Sequence, residues 1–336
     1  MVGLKICEDE YFDEKRQEYV MESFEFSNGK VLENVNVEYM TFGTPKYDDD
    51  IITNAIIYCH GSLGNFTGVK KIFPLIHDGA PFDEKKYFFI SMSALGSPGS
   101  CSPSSTDLKN NFPSYSIEDV VNFQKQFLEE KFNIKHVLGI IGNSMGGFVA
   151  LTSAILYPDF AEFIMPGVSS YKVAGHDYIL SKFVNEIITS DENYEKGIVN
   201  DSLKRTLKLA SLAEFNFGLS KEALRATPKD ELSQNFDEFG EESEFLDIYD
   251  VKYCNEACMN YDVENDLDKI ESSVLIISCA QDPHFPPELD GIPMSKMIKN
   301  SELIVMDSEL GHLCFNELEN ISDELSKFMQ CRQPNF

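Results

Sequence analysis

The chain has 336 residues, room for one large core and an excursion, and its 43% apolar and 12% aromatic content is that of a globular protein. Acidic residues outnumber basic ones 56 to 28, for a net charge of −28, and a surface so charged repels phosphate backbones and anionic lipid headgroups, which argues against nucleic-acid and membrane-surface roles. No apolar run is long enough to span a bilayer, and the N-terminus, charged within its first ten residues, does not read as a secretion signal, so a cytoplasmic protein is expected.

Residues 19–26 and 32–42 read as strands joined by Ser27-Asn28-Gly29-Lys30, a strong hairpin turn. Residues 54–60 (NAIIYCH) form a short apolar run, as in a strand covered on both faces, and end in the glycine-rich His60-Gly61-Ser62-Leu63-Gly64. An apolar helical segment near residues 69–76 follows, then a buried-type strand at 87–92 that runs into the turn-rich ALGSPGSCSPSS. Ser116 opens a helix with Asp119 at capping-box spacing, and the pattern continues to about Lys131.

Residues 137–150, VLGIIGNSMGGFVA, are the stretch around which the chain is organised. An apolar run ends in Gly142-Asn143-Ser144-Met145-Gly146-Gly147 and turns apolar again at helical spacing: strand, tight turn, helix, with a serine at the apex. A nucleophile in such a turn has strained backbone angles, and side chains two residues either side would collide with the strand and helix it joins. The helix N-terminus meanwhile offers N–H groups to a developing oxyanion.

Strand rhythm continues at 163–165, vanishes between about 167 and 272, and returns at 273–279 and 303–306 before a closing helix at 315–329. The gap carries acidic helical segments at 178–188, 202–213 and 220–226, while ELSQNFDEFGEESEF (231–245) reads as loop or exposed linker. Alternating strands and helices predict a mostly parallel sheet with helices on both faces and an antiparallel leading edge. The core is therefore assigned to residues 1–166 and 273–336. Residues 167–272 are assigned to a helical lid over the strands' C-terminal ends, where open α/β sheets place their sites.

A serine nucleophile needs a base and a carboxylate to orient it. His312, in Leu310-Gly311-His312-Leu313, follows the last apolar strand, and Asp282, in Gln281-Asp282-Pro283, follows the one before. Both fall in loops on the sheet edge that carries Ser144, in the chain order Ser144, Asp282, His312 of α/β-hydrolases. The oxyanion donors are expected to be the backbone N–H groups of Met145 and Ser62. Leu63 is the alternative donor and a substrate contact. His60 is expected to brace its loop, His284 reads as a solvated loop position, and His176, where the lid begins, is a candidate pocket residue.

Eight cysteines, with Cys59 and Cys279 inside apolar strands, suit reduced buried thiols. Cys254 and Cys258 could share a helix face, but no second Cys/His pair at ligand spacing makes them a zinc site. No dinucleotide glycine fingerprint occurs either, so neither a metal nor a cofactor is expected.

Taken in order, YMTFGTP, YCHGSLG, YFFISMSALGSPGSCSPSS, FPSYSIEDVVNFQ, GNSMGGFVALTSAILYPD, CAQDPHFPP and GHLCF resemble the homoserine O-acetyltransferase-like branch of the α/β-hydrolases over nearly all of the chain outside the lid. The resemblance implies the α/β-hydrolase fold, a helical lid and an acyl-serine intermediate on Ser144. One departure matters. Acetyltransferases of this branch carry an arginine in the first lid helix for the amino-acid carboxylate, and here Asn185-Glu186 stand about where it would fall. The GSPGSCSPSS loop also looks more like that of the branch's hydrolase members. A serine hydrolase acting on an ester or related acyl substrate is therefore the first reading. A homoserine O-acetyltransferase-like acyltransferase is the second, with Arg205, Arg225 and Lys182 as stand-in clamps. A non-catalytic scaffold on the same fold is the third, against which an intact triad speaks. The oligomeric state stays open, a homodimer among the states allowed.

Overall fold

The computed structural model describes residues 10–330, so the first nine residues of the N-terminal stretch and the last six of the chain lie outside it. Strands β1 (Gln17–Glu25), β2 (Val31–Gly43), β3 (Ala55–Cys59), β4 (Phe88–Met92), β5 (Val137–Asn143), β6 (Ala161–Gly167), β7 (Ser273–Cys279) and β8 (Ser301–Met306) form one sheet in the order β1-β2-β4-β3-β5-β6-β7-β8. β2 pairs antiparallel with β1 and β4, and every other neighbour is parallel. This is the mostly parallel α/β-hydrolase sheet with the antiparallel edge the leading hairpin implied. β3, β4 and β5 are buried at every position, as continuous apolar runs require when both faces are covered.

Helices α1 (Ile117–Phe132) and α2 (Met145–Leu156) cover one face, where Phe123, Phe127 and Leu151 join its apolar layer. A 3₁₀ segment, Phe66–Leu75, and the C-terminal segments cover the other with Val69, Ile72, Phe315 and Phe328. α1 starts on the expected capping box of Ser116 and Asp119, and Ser27 in the hairpin turn also bonds the Asp119 carboxylate, tying the edge to the helix. Two expected helices take other forms. Pro74 sits inside the first, which is 3₁₀, and the closing helix is a 3₁₀ stretch, Gly311–Ile321, broken at Glu317 before a short α-helix at Ser322–Gln330.

Between β6 and β7 the described backbone is helical: α3 (Gly175–Thr189), α4 (Glu192–Lys196), α5 (Asp201–Ala213), α6 (Lys221–Ala226), α7 (Lys229–Glu241) and α8 (Ile248–Met259). The insertion has its own apolar cluster, including Leu180, Val184, Leu203, Leu207 and Tyr249. Residues 231–245, expected as loop, are instead α7 and a 3₁₀ turn. Leu232, Phe236 and Phe239 fall at i, i+4 and i+7, a helical stripe that the surrounding acidic residues obscured, and both phenylalanines pack on Phe215. On its other side the insertion docks on the core through α8. Asp250 accepts hydrogen bonds from the Ser104 N–H (2.8 Å) and the Ser102 hydroxyl (3.3 Å), and burial raises its carboxyl to about 7.

Candidate active site

Ser144 sits between β5 and α2 with φ 54° and ψ −122°, a conformation that side chains rarely adopt. Its N–H donates to the Gly167 carbonyl at 2.9 Å, which anchors the turn to β6. The flanking glycines have the steric reason the motif suggested. A Cβ on Gly142 would strike the Gly146 carbonyl, and one on Gly146 would strike the Cys59 carbonyl of β3. The turn therefore works only with bare backbone on both sides, and it lifts the serine hydroxyl clear of the sheet.

The loops after β7 and β8 bring the two predicted partners to that hydroxyl. His312 Nε2 lies 3.0 Å from Ser144 Oγ, and its Nδ1 lies 3.0 and 3.2 Å from the two carboxylate oxygens of Asp282. The Asp282 side chain is fully buried and its Oδ1 also accepts the His284 N–H at 2.8 Å. Burial alone would raise this carboxyl, but the adjacent His312 and the hydrogen bonds outweigh it and hold the group below its ordinary value. An ionised Asp282 fixes His312 with Nδ1–H toward itself and the bare Nε2 toward the serine, the tautomer a general base needs.

Across from the elbow, the Gly64 N–H closes a turn onto the Gly61 carbonyl. Among the described residues, neither the Ser62 nor the Met145 N–H has an intramolecular acceptor, and both residues line the cavity at Ser144. His60 is buried behind this loop. Its Nδ1 bonds the Gly61 carbonyl at 2.7 Å and its Nε2 accepts the Ala94 N–H at 3.0 Å, so it is a brace, and burial lowers it to about 4 and keeps it neutral. Leu63 lines the cavity with φ 57°, a second strained residue beside the elbow.

The cavity has a volume of about 340 Å³ and is lined on one side by the insertion. α3 presents Asp177, Ser181 and Val184 to it, at i, i+4 and i+7. His176, expected in the pocket, is therefore turned outward and exposed, one residue off the stripe. The same register removes Asn185 and Glu186 from the wall. Asn185 bonds Asn255, and Glu186 pairs with Lys182 on the surface at 3.5 Å. Arg205 and Arg225 are exposed and do not line the cavity either.

His284, read as a solvated loop position, instead faces the cavity with its ring centroid 4.7 Å from that of His312. Its Nδ1 meets Asp177 of α3 at 2.7 Å and its Nε2 lies 3.7 Å from Glu214. Burial would lower the imidazole, yet the two carboxylates raise it to about 10, so it is a paired cation that ties the insertion to the Asp282 loop. Its place two residues after Asp282 was the available signal; its acidic partners lie more than 60 residues away and carried none. Cys254, on α8, reaches the cavity with its Sγ 3.6 Å from Met145 Sδ, and Cys258 lines it too; among the described residues no cluster could hold a metal ion.

Residues 54–315 match the family model described as the alpha/beta hydrolase fold. A protein of Methanothermobacter thermautotrophicus named a probable acyltransferase is 42% identical over 312 residues, 93% of this chain and 96% of its own. A homoserine O-acetyltransferase of Nautilia profundicola is 33% identical over 202 residues, 55% of this chain and 54% of its own. Among solved structures, an acetylester hydrolase of Corynebacterium glutamicum superposes with a TM-score of 0.81 at 23% identity, over 94% of this chain and 96% of that one, a likeness of fold.

Proposed function

The chain belongs to the α/β-hydrolase family of enzymes, in the branch that includes the homoserine O-acetyltransferases, and on that premise we propose that it is a serine acyl hydrolase working through an acyl-Ser144 intermediate. The observation that carries the reading is the continuous hydrogen-bonded line from Ser144 Oγ through His312 to a buried, ionised Asp282. In the first half-reaction His312 Nε2 takes the hydroxyl proton as Oγ attacks the acyl carbon. The N–H groups of Ser62 and Met145 receive the oxyanion, and the departing alcohol takes the proton back from His312 as the intermediate collapses. Water, deprotonated by the same imidazole, then attacks the acyl-serine and releases the free acid. Residues 167–272 act as the lid that shapes the pocket. The six described cysteines, all free thiols, suit a reducing cytoplasm.

A second reading, acyl transfer to an alcohol such as homoserine, is favoured by the name of the Methanothermobacter relative. It uses the same residues and differs only in what replaces water. Hydrolysis is preferred because the lid side, where the branch's acetyltransferases are implied to carry their arginine, offers no counterpart to it: among the described lid residues lining the cavity, the charged ones are acidic. The test is product analysis with acetyl and succinyl donors in the presence of homoserine. Free acid as the main product supports hydrolysis, whereas O-acylhomoserine as the main product would move the assignment to transfer.

A further inference from the structure

The cavity contains a cation that the reaction above does not use. Lys71 lies in the 3₁₀ segment Phe66–Leu75, immediately after the oxyanion loop, and lines the same cavity as Ser144. Its neighbour in sequence goes the other way: Lys70 Nζ lies 4.7 Å from the centroid of the Phe12 ring. Lys71 lies close enough to His60 for its charge to help lower that imidazole, and close enough to Cys314 to feel that thiol in turn. Among the described residues no carboxylate lies within ion-pair distance of it, and its amine makes no hydrogen bond. That sets it apart from His284, whose charge is balanced by Asp177 and Glu214.

An ammonium partly buried in a cavity wall without a counter-charge is costly, and burial accordingly lowers the Lys71 amine to about 8. A residue of this kind is retained where a ligand brings the missing charge. The opposite wall strengthens the point. Asp177 and Glu214 of the insertion are taken up by His284, and Glu238 also lines the cavity, so among the described lining residues the lid side offers an anion no cation, whereas the core side does at Lys71. We propose that Lys71 holds a carboxylate of the substrate, so that the enzyme selects acyl esters carrying an anion at one end. This deepens the acyl-serine reading and rests on it. The carboxylate can sit on the acyl half, as in a hemisuccinate, or on the alcohol half, as in an O-acyl hydroxy acid; the chemistry that Lys71 recognises is the same.

Two pairs of esters separate these sources. Monoethyl succinate against ethyl butyrate places the charge on the acyl half, and 4-acetoxybutyrate against butyl acetate places it on the alcohol half. The readout is the ratio of kcat/KM for the anionic ester to that for its neutral partner, in the wild type, Lys71→Met and Lys71→Arg. In at least one pair the wild type is expected to prefer the anion, Lys71→Met to lower the ratio about 10- to 100-fold, and Lys71→Arg to keep most of it. The responding pair identifies the half of the substrate that carries the charge. A ratio unmoved by Lys71→Met in both pairs, or a wild-type preference for the neutral ester in both, would overturn the proposal, and the second outcome is readable even if Lys71→Met does not fold. Turnover surviving in Ser144→Ala would instead remove the acyl-serine reading while leaving the ratios intact. No turnover of any of the four esters would overturn both.

Discussion

The cavity has two walls built on different principles. The sheet-edge wall holds its groups by backbone: a serine forced into φ 54° between two glycines, a turn that leaves the Ser62 N–H free, and two loops that each follow a parallel strand by a few residues. The insertion wall holds its groups by side-chain packing. The register of α3 selects Asp177 over His176, and Glu214 comes to His284 because α5 and α7 pack together around Phe215. The first wall is fixed by backbone conformation and close packing; under the proposed function, the second is free to vary what the pocket admits without touching the reacting atoms. On the proposed reading, chemistry and selectivity are thus divided between core and insertion, with Lys71 a core residue on the selectivity side.

The largest expected effect lies on the core wall. Ser144→Ala should lower kcat/KM on any ester by at least about 10⁴-fold, since removing a member of a catalytic unit costs several orders of magnitude. The thermal melt should stay near wild type, because the hydroxyl faces the cavity and packs against little. A variant retaining a tenth of the activity would show that the core wall does not carry the reaction.

Next comes a test of the backbone itself. Gly146→Ala places a Cβ against the Cys59 carbonyl, so α2 or β3 must shift. Overpacking of this sort costs about 1–3 kcal/mol, a fall in melting temperature of roughly 1–4 °C for a chain of this size, with loss of activity as the elbow moves. A melt identical to wild type, with full activity, would mean the elbow is less constrained than its geometry implies.

The join between the walls gives a pH effect. His284 titrates near 6.5 when unfolded and at about 10 when folded, because Asp177 and Glu214 favour its charged form. A raised folded value means that its contribution to stability is fully present below about pH 6.5 and is lost as pH rises toward 10. His284→Gln should therefore melt below wild type at pH 6, with the two curves converging by pH 10. Parallel curves across that range would show that the ion pair does not anchor the insertion.

How much of this was legible in the sequence follows the same division. Ser144, Asp282 and His312 were legible because each follows a strand within a few residues and lies within two residues of a glycine or proline that a special turn requires, and the strand rhythm put all three on one sheet edge. The expectation at Ser62 and Met145 rests on the same loop logic. Residues of the insertion were opaque, since which face of α3 looks inward depends on helices packed from elsewhere in the chain. His176 was misplaced by one residue for that reason, and Asn185-Glu186 were compared with a clamp they do not face. The helix at 229–241 was missed because acidic residues between Leu232, Phe236 and Phe239 hid a regular stripe. Lys71 is a middle case: its segment was legible as apolar and helical, but nothing in a Lys-Lys pair says which of the two turns inward.

The smallest expected effect sharpens the comparison from the insertion side, by showing which of its charges do nothing. Arg205, Arg225 and Lys182 are the cations a transferase reading would recruit to hold an amino acid, yet all three are exposed, none lines the cavity, and Lys182 is paired with Glu186. A clamp works by fixing the acceptor hydroxyl at the acyl carbon, and a side chain on the outer face of a helix cannot do so without unwinding it. Exchanging each for alanine should leave the division of product between free acid and O-acylhomoserine unchanged and kcat/KM within about twofold, the scale of an ordinary surface substitution. Product analysis by mass spectrometry on the three variants reads this directly. A collapse of O-acylhomoserine in one of them would mean that the insertion moves that cation inward when substrate binds, and the lid would then be a mobile part of the site rather than a fixed wall.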